Sequence, residues 1–138
     1  MAIAIFFDFT TFLTIFANMN EATLQRQIIS TFRANFPKYA WCLFAIENKR
    51  KTDKGYLLKS QGVLSGVADL CLALPTEKHG ALYIELKFGK NKQTESQLEF
   101  ERQMKMHGNN YVLCYSLHDA IDNILNHINE HQKWKLKS

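Results

Sequence analysis

Along residues 81–87, Ala-Leu-Tyr-Ile-Glu-Leu-Lys, apolar and functional side chains alternate. The period of two predicts a β-strand with Leu82, Ile84 and Leu86 on one face and Tyr83, Glu85 and Lys87 on the other. Upstream, Leu24, Ile28, Thr31 and Phe32 recur at helical spacing, with Asn20 as N-cap and Pro37 as stop, which predicts a helix from Asn20 to about Asn35. Trp41 to Ile46 reads as a strand. Residues 47–66 are polar and rich in Lys, Arg and Gly, hence a loop with one helical turn near Leu57. The continuous apolar run Leu70-Cys-Leu-Ala-Leu74 predicts a strand buried on both faces, and Pro75 to Gly80 a turn. Beyond the loop Gly89–Gln93, Thr94-Glu-Ser-Gln97 has the form of a capping box opening a helix to about His107, with Gly108 past its end. Tyr111 to Tyr115 is a further strand. Ser116-Leu-His-Asp119 caps a last helix that turns Ile121, Ile124, Leu125 and Ile128 inward.

The predicted order is α-β-β-β-α-β-α. The strand bearing Glu85 is joined by a helix to the strand at Tyr111. That βαβ crossover makes at least part of the sheet parallel and the class mixed α/β. No repeat or Pro/Gly-rich linker divides the 138 residues, a length suited to one core. The expected organisation is an apolar extension (residues 1–18), one domain (19–131) and a basic tail (132–138) carrying Lys133, Lys135 and Lys137. Residues 3–16 are strongly apolar but follow no Lys or Arg and are interrupted by Asp8. Neither a signal peptide nor a membrane span of about 20 apolar residues is therefore expected of this segment. The segment is expected to pack on the core or on a second subunit, or to be dispensable if translation starts at Met19.

Composition adds little: 46% hydrophobic, 22% charged and a net charge of +4, a mild basic excess compatible with a polyanionic partner. Cys42, Cys71 and Cys114 are odd in number and form no CxxC pair. They read as small buried residues of a reducing cytoplasm, the bacterial host's if the chain is phage-encoded.

The charges on the 81–87 strand matter more, because burying charge is costly unless it is paired or bound to a metal. Asp69 follows the turn Gly62–Ala68, and adjacent strands bring it near Glu85. Two carboxylates suit a hard cation, Mg²⁺ or Mn²⁺, which activates water and neutralises charge on a phosphodiester. Lys87 would position the water or stabilise an oxyanion. The rival reading is an exposed ion pair on a solvated edge. Glu21 lies on the apolar stripe of its helix and is either a further ligand or a favourable charge at a helix start. Gln97 is either an accessory residue of the site or the N3 member of the capping box. His127-Ile-Asn-Glu130-His131 has an HxxEH spacing, but no third ligand follows, so it reads as a solvated helix face. Gly89-Lys90 lacks the glycine and hydroxyl of a phosphate loop and reads as a basic turn.

Taken together these residues resemble a phage-type VRR-NUC domain, a branch of the PD-(D/E)xK nuclease superfamily. The matching pieces are Glu21 with Gln25, Phe36-Pro37, Leu43-Phe44-Ala45-Ile46 with Asn48, and Lys59 with Gly62. They continue through Gly66-Val67-Ala68-Asp69-Leu70, Ile84-Glu85-Leu86-Lys87, Ser96-Gln97 and Gly108. Ala68 stands where the family usually has proline. The resemblance implies a restriction-endonuclease-like αβββαβ core with a mixed sheet flanked by helices. It also implies metal ligands Asp69, Glu85, the Leu86 carbonyl and Glu21, a catalytic Lys87, Gln97 near the DNA backbone, and a homodimer. The expected function is a metal-dependent DNA endonuclease, structure-selective and of phage or mobile-element origin. The alternatives are a catalytically silent nucleic-acid-binding module and a purely structural phage protein. Lys49, Arg50, Lys51, Lys54 and Lys59 on one loop, with Lys90 and Lys92 on another, flank the site and are expected to contact phosphates.

Overall fold

The sheet is built from four short strands in the spatial order β1-β2-β3-β4: β1 (Leu43–Ala45), β2 (Leu70–Leu72), β3 (Leu82–Leu86) and β4 (Asn110–Cys114). The computed structural model describes residues 8–11, 19–47 and 59–138. β1 and β2 pair antiparallel, as do β2 and β3, whereas β3 and β4 are parallel. The parallel pair is joined by helix α2 (Glu95–Met106), as a crossover requires. Helix α1 (Glu21–Asn35) precedes the sheet and α3 (Leu117–Lys137) ends the chain.

Periodicity decides which face each element buries. Leu24, Ile28 and Phe32 of α1 meet Leu82, Ile84 and Leu86 of β3 and Ile121, Ile124 and Ile128 of α3 in one apolar core. α1 and α3 therefore lie together on one face of the sheet. On the other face α2 covers β3 and β4, its Phe100 ring 5.2 Å from Tyr83 and 6.3 Å from Tyr111. β2 is buried at all three positions, paired on one edge with β1 and on the other with β3.

The helix starts follow their caps. Asn20 Oδ1 accepts from Thr23 N at 2.9 Å, Thr94 Oγ1 from Gln97 N at 3.3 Å, and Ser116 Oγ from Asp119 N at 3.1 Å. Differences from expectation are local. Trp41 and Cys42 belong to a turn after the 3₁₀ helix Pro37–Tyr39, because that tight turn uses the residues before the strand starts. Residues 132–137 are not a separate tail but the last turns of α3. Lysines at a helix C-terminus are favoured by the helix dipole, and Gln132 Nε2 donates to Tyr39 Oη at 3.4 Å.

Of the apolar extension only residues 8–11 are described. Residues 9–11 are helical, and Thr11 N donates to Asp8 Oδ1 at 2.6 Å. The rest of the extension and the turn expected near Leu57 lie outside the described residues. Among the described residues no helix is long and apolar enough to cross a membrane.

Candidate active site

Antiparallel pairing sets Leu70 opposite Ile84 and Cys71 opposite Tyr83. Continuing that register by one residue puts Asp69 beside Glu85. The approach is fixed by a hydrogen bond from Leu86 N–H to Asp69 Oδ2 at 2.8 Å. The loop that delivers Asp69 presses on the start of α2. Gly66 has φ +82°, and a Cβ there would lie 2.3 Å from the carbonyl carbon and oxygen of Ser96 and 2.7 Å from Gln97 N. Only glycine fits both the left-handed backbone and the approach. Ala68 is fully buried and packs the same turn.

Glu85 and Lys87 are not an exposed pair. Glu85 is 2% exposed, Lys87 6% and Gln97 1%, so the sheet and α2 enclose all three. Lys87 Nζ lies 3.1 Å from Glu85 Oε1 and donates to Gln97 Oε1 at 2.9 Å. Gln97 Nε2 donates to Glu85 Oε1 at 2.5 Å. The same Gln97 Oε1 accepts from Thr94 N–H at 2.8 Å, completing the capping box. The two sequence readings of Gln97 therefore merge structurally: the helix cap is what holds this amide between the carboxylate and the ammonium. Its orientation follows from chemistry, since two donors require the oxygen and the carboxylate requires the NH₂.

Burial raises the Glu85 carboxyl to about 7, and the neighbouring Asp69 and Glu21 charges push the same way against the opposing pull of Lys87. Glu85 Oε2 is buried without a hydrogen-bond partner among the described residues. A cavity of about 340 Å³ adjoins it, lined by Glu21, Gln25, Ala45, Ile46, Glu47, Asp69 and Glu85. Such a setting suits a hard cation, because an orphaned carboxylate oxygen and repelling acids are both satisfied by positive charge. Among the described residues, no three His, Cys, Asp or Glu side chains converge closely enough to form a ready-made cage. The donor set is thus a carboxylate pair with further acids on the wall, fitting an ion that keeps several waters, as Mg²⁺ does.

The structure brings Asp69, Glu85, Leu86, Lys87 and Gln97 together, with Glu21 on the cavity wall. Lys59, Lys90 and Lys92 are exposed. Lys49, Arg50, Lys51 and Lys54 lie outside the described residues. Glu47 was not foreseen on the cavity wall. It follows β1 by two residues, at the sheet end where Asp69 enters β2, and this position is the signal that could have found it.

The HxxEH stretch corrects the sequence reading. His127 and His131 are buried, not solvated: His127 Nε2 lies 2.7 Å from the Leu74 carbonyl and His131 Nδ1 2.6 Å from that of Pro75. Their spacing from Ile124 and Ile128 puts them on the inner face of α3, where they satisfy the chain leaving β2. Asn129 and Glu130 face out, Glu130 lying 3.0 Å from Lys133 Nζ.

No family model matches the chain, and no curated protein matches it. A solved structure described as a VRR_NUC domain protein superposes with a TM-score of 0.71 at 19% identity, covering 82% of this chain and 91% of that one. The chain has a VRR-NUC-like fold.

Proposed function

We propose that the chain is a divalent-metal-dependent DNA endonuclease of the PD-(D/E)xK kind, selective for DNA structure and of phage or mobile-element origin. The observation that carries this reading is the orphaned, buried Glu85 Oε2 beside the Lys87 ammonium, on a cavity walled by Asp69, Glu21 and Glu47. The VRR-NUC-like fold supports it. Asp69, Glu85, the Leu86 carbonyl and Glu21 are the groups that would hold Mg²⁺ or Mn²⁺. When bound, the ion supplies a water of lowered pKa and offsets charge developing on the phosphodiester.

The chain's own residues do the rest. Asp69, anchored by Leu86 N–H, and Glu85, anchored by Gln97, hold two carboxylates at a fixed separation without waiting for a ligand. Lys87 commits two of its three ammonium protons to Glu85 and Gln97 and keeps the third for a water or a phosphate oxygen. Gln97 fixes the direction of that third N–H by holding the amine from one side. The exposed Lys59, Lys90 and Lys92, with Lys49, Arg50, Lys51 and Lys54, would contact phosphates as the strand enters.

The test is cleavage of labelled single strand, duplex, flap, splayed-arm and four-way-junction DNA with Mg²⁺ or Mn²⁺, alongside Glu85→Ala and Lys87→Ala. Cleavage by the wild type that both variants lose, with the fold retained, is expected. Undiminished cutting by either variant would overturn the assignment. Calorimetric titration with Mn²⁺ separates the silent-module alternative, which would bind DNA yet lack a saturable metal site.

A further inference from the structure

The outer edge of α1 carries a second groove of about 410 Å³, lined by Gln25, Arg26, Ile29, Ser30 and Arg33. Gln25 also lines the acidic cavity, so the groove and the candidate active site share one wall residue. The helix explains the arrangement. With Leu24, Ile28 and Phe32 committed to the core, the neighbouring positions 25, 29 and 33 fall on the groove, and Arg26 flanks them from the solvent side.

Partnering sets these two arginines apart from most surface cations. Arg102 is neutralised by Glu99 at 2.6 Å, Lys105 by Glu101 at 2.6 Å, Lys133 by Glu130 at 3.0 Å and Lys137 by Glu77 at 3.0 Å. Lys38 and Lys135 lie over the Tyr39 and Trp134 rings. Arg26 and Arg33 have no carboxylate or aromatic partner among the described residues. Between them lies half-buried Ile29, and the Ser30 hydroxyl is turned back to its own helix at Gln27 O, 3.1 Å away. Seven residues of helix separate the Cα atoms of Arg26 and Arg33 by about 10 Å along the axis, far enough for the two long side chains to reach different phosphates.

We infer that this edge of α1 is a track for the sugar-phosphate backbone of DNA, with Arg26 and Arg33 each on a different phosphate of one strand. Ile29 packs against the intervening sugar, and Gln25 stands where the strand passes into the acidic cavity. The inference rests on the nuclease reading for its substrate, and it adds an element that the basic loops do not supply. Guanidiniums suit the task because they stay charged and grip phosphate oxygens in pairs. An exposed carboxylate partner would compete for the same donors, and none is there among the described residues. Contacts of this kind set position and affinity and carry no base preference.

The test is fluorescence anisotropy of a labelled duplex without divalent ions, over a series of salt concentrations. Arg26→Ala/Arg33→Ala is expected to lower affinity on the order of ten-fold. The slope of log K against log salt should shrink by about 1.8, two phosphate contacts' worth. Arg26→Lys/Arg33→Lys should restore the slope, and Arg102→Ala, whose guanidinium is already paired, should leave both unchanged. Mn²⁺ affinity should be the same in all four proteins. An unaltered slope in the double alanine variant, or an equal loss in Arg102→Ala, overturns the track. A wild type that cuts DNA while the double variant binds like it sinks the track alone. A wild type that neither binds nor cuts sinks the track and the nuclease reading together.

Discussion

Replacing Gln97 by methionine keeps the length and volume of the side chain and removes its amide. Three interactions go with it: the 2.9 Å bond from Lys87, the 2.5 Å bond to Glu85 and the 2.8 Å bond from Thr94 N–H. Loss of the capping bond is worth about 1 kcal/mol. Hydrogen bonds to charged groups are worth about 1.5–3 kcal/mol each when a buried partner is left unsatisfied. The Lys87–Glu85 pair survives at 3.1 Å and recovers part of this, so the expected cost is about 4 kcal/mol. That is a large share of the roughly 5–15 kcal/mol of a typical domain. For a chain of this size it lowers Tm by about 12–20 °C. Urea unfolding followed by circular dichroism measures it, with an unchanged m-value confirming that the folded state is the same. Thr94→Ala serves as the yardstick, since it removes the hydroxyl cap and its exposed contact with Ser96 while leaving the Gln97 amide in place, and it should cost about 1 kcal/mol. If Gln97→Met costs no more than Thr94→Ala, Gln97 is merely a helix cap and the enclosed carboxylate–amide–ammonium network does not hold the site.

Two further outcomes are expected. Gly66→Ala places a methyl 2.3 Å from Ser96 backbone at φ +82° and should cost at least about 2 kcal/mol. Thermal unfolding checks this, and a neutral result would mean that the Asp69 loop does not press on α2. His127 is held below its usual 6.5, first by burial and then by His79 and His131, against the opposing bond to Leu74 O. Its unfolded form therefore takes up a proton first. The stability it confers is present above pH 6.5 and is lost as pH falls through the lower folded value. His127→Gln should flatten the fall in urea midpoint between about pH 7.5 and 5.5. Glu85, raised to about 7, acts in the opposite sense over the same range in both proteins, so the difference between them isolates His127.

Most of the architecture was legible because the core elements obey simple periods. Leu82-Ile84-Leu86 alternates, Leu24-Ile28-Phe32 steps by four, and each helix opens on Asn20, Thr94 or Ser116 with a cap bond in place. Asp69 and Glu85 were found as candidates because a charge at the end of an apolar strand is conspicuous. What the sequence concealed is burial decided by another element. Whether Glu85 and Lys87 face solvent depends on where α2 lies, and their own strand is silent on that. Likewise, α3 shields His127 and His131 because two backbone carbonyls beyond β2 need donors, a requirement visible only once Leu74 and Pro75 are beside the helix. Glu47 belongs to a surface that neighbouring segments complete, and such a surface has no linear signature.

Asp69, Glu85, Lys87 and Gln97 all come from residues 69–97, a hairpin followed by the first turn of the crossover helix. Asp69 meets Leu86 across 17 positions, and Gln97 meets Glu85 across 12. Short loops close at low entropic cost, and local topology speeds folding. This cassette should therefore assemble early and gain protection from amide exchange before α1 and α3 dock. Reopening the chain at the exposed Gly108 bend, with the old ends linked, would leave that cassette uncut.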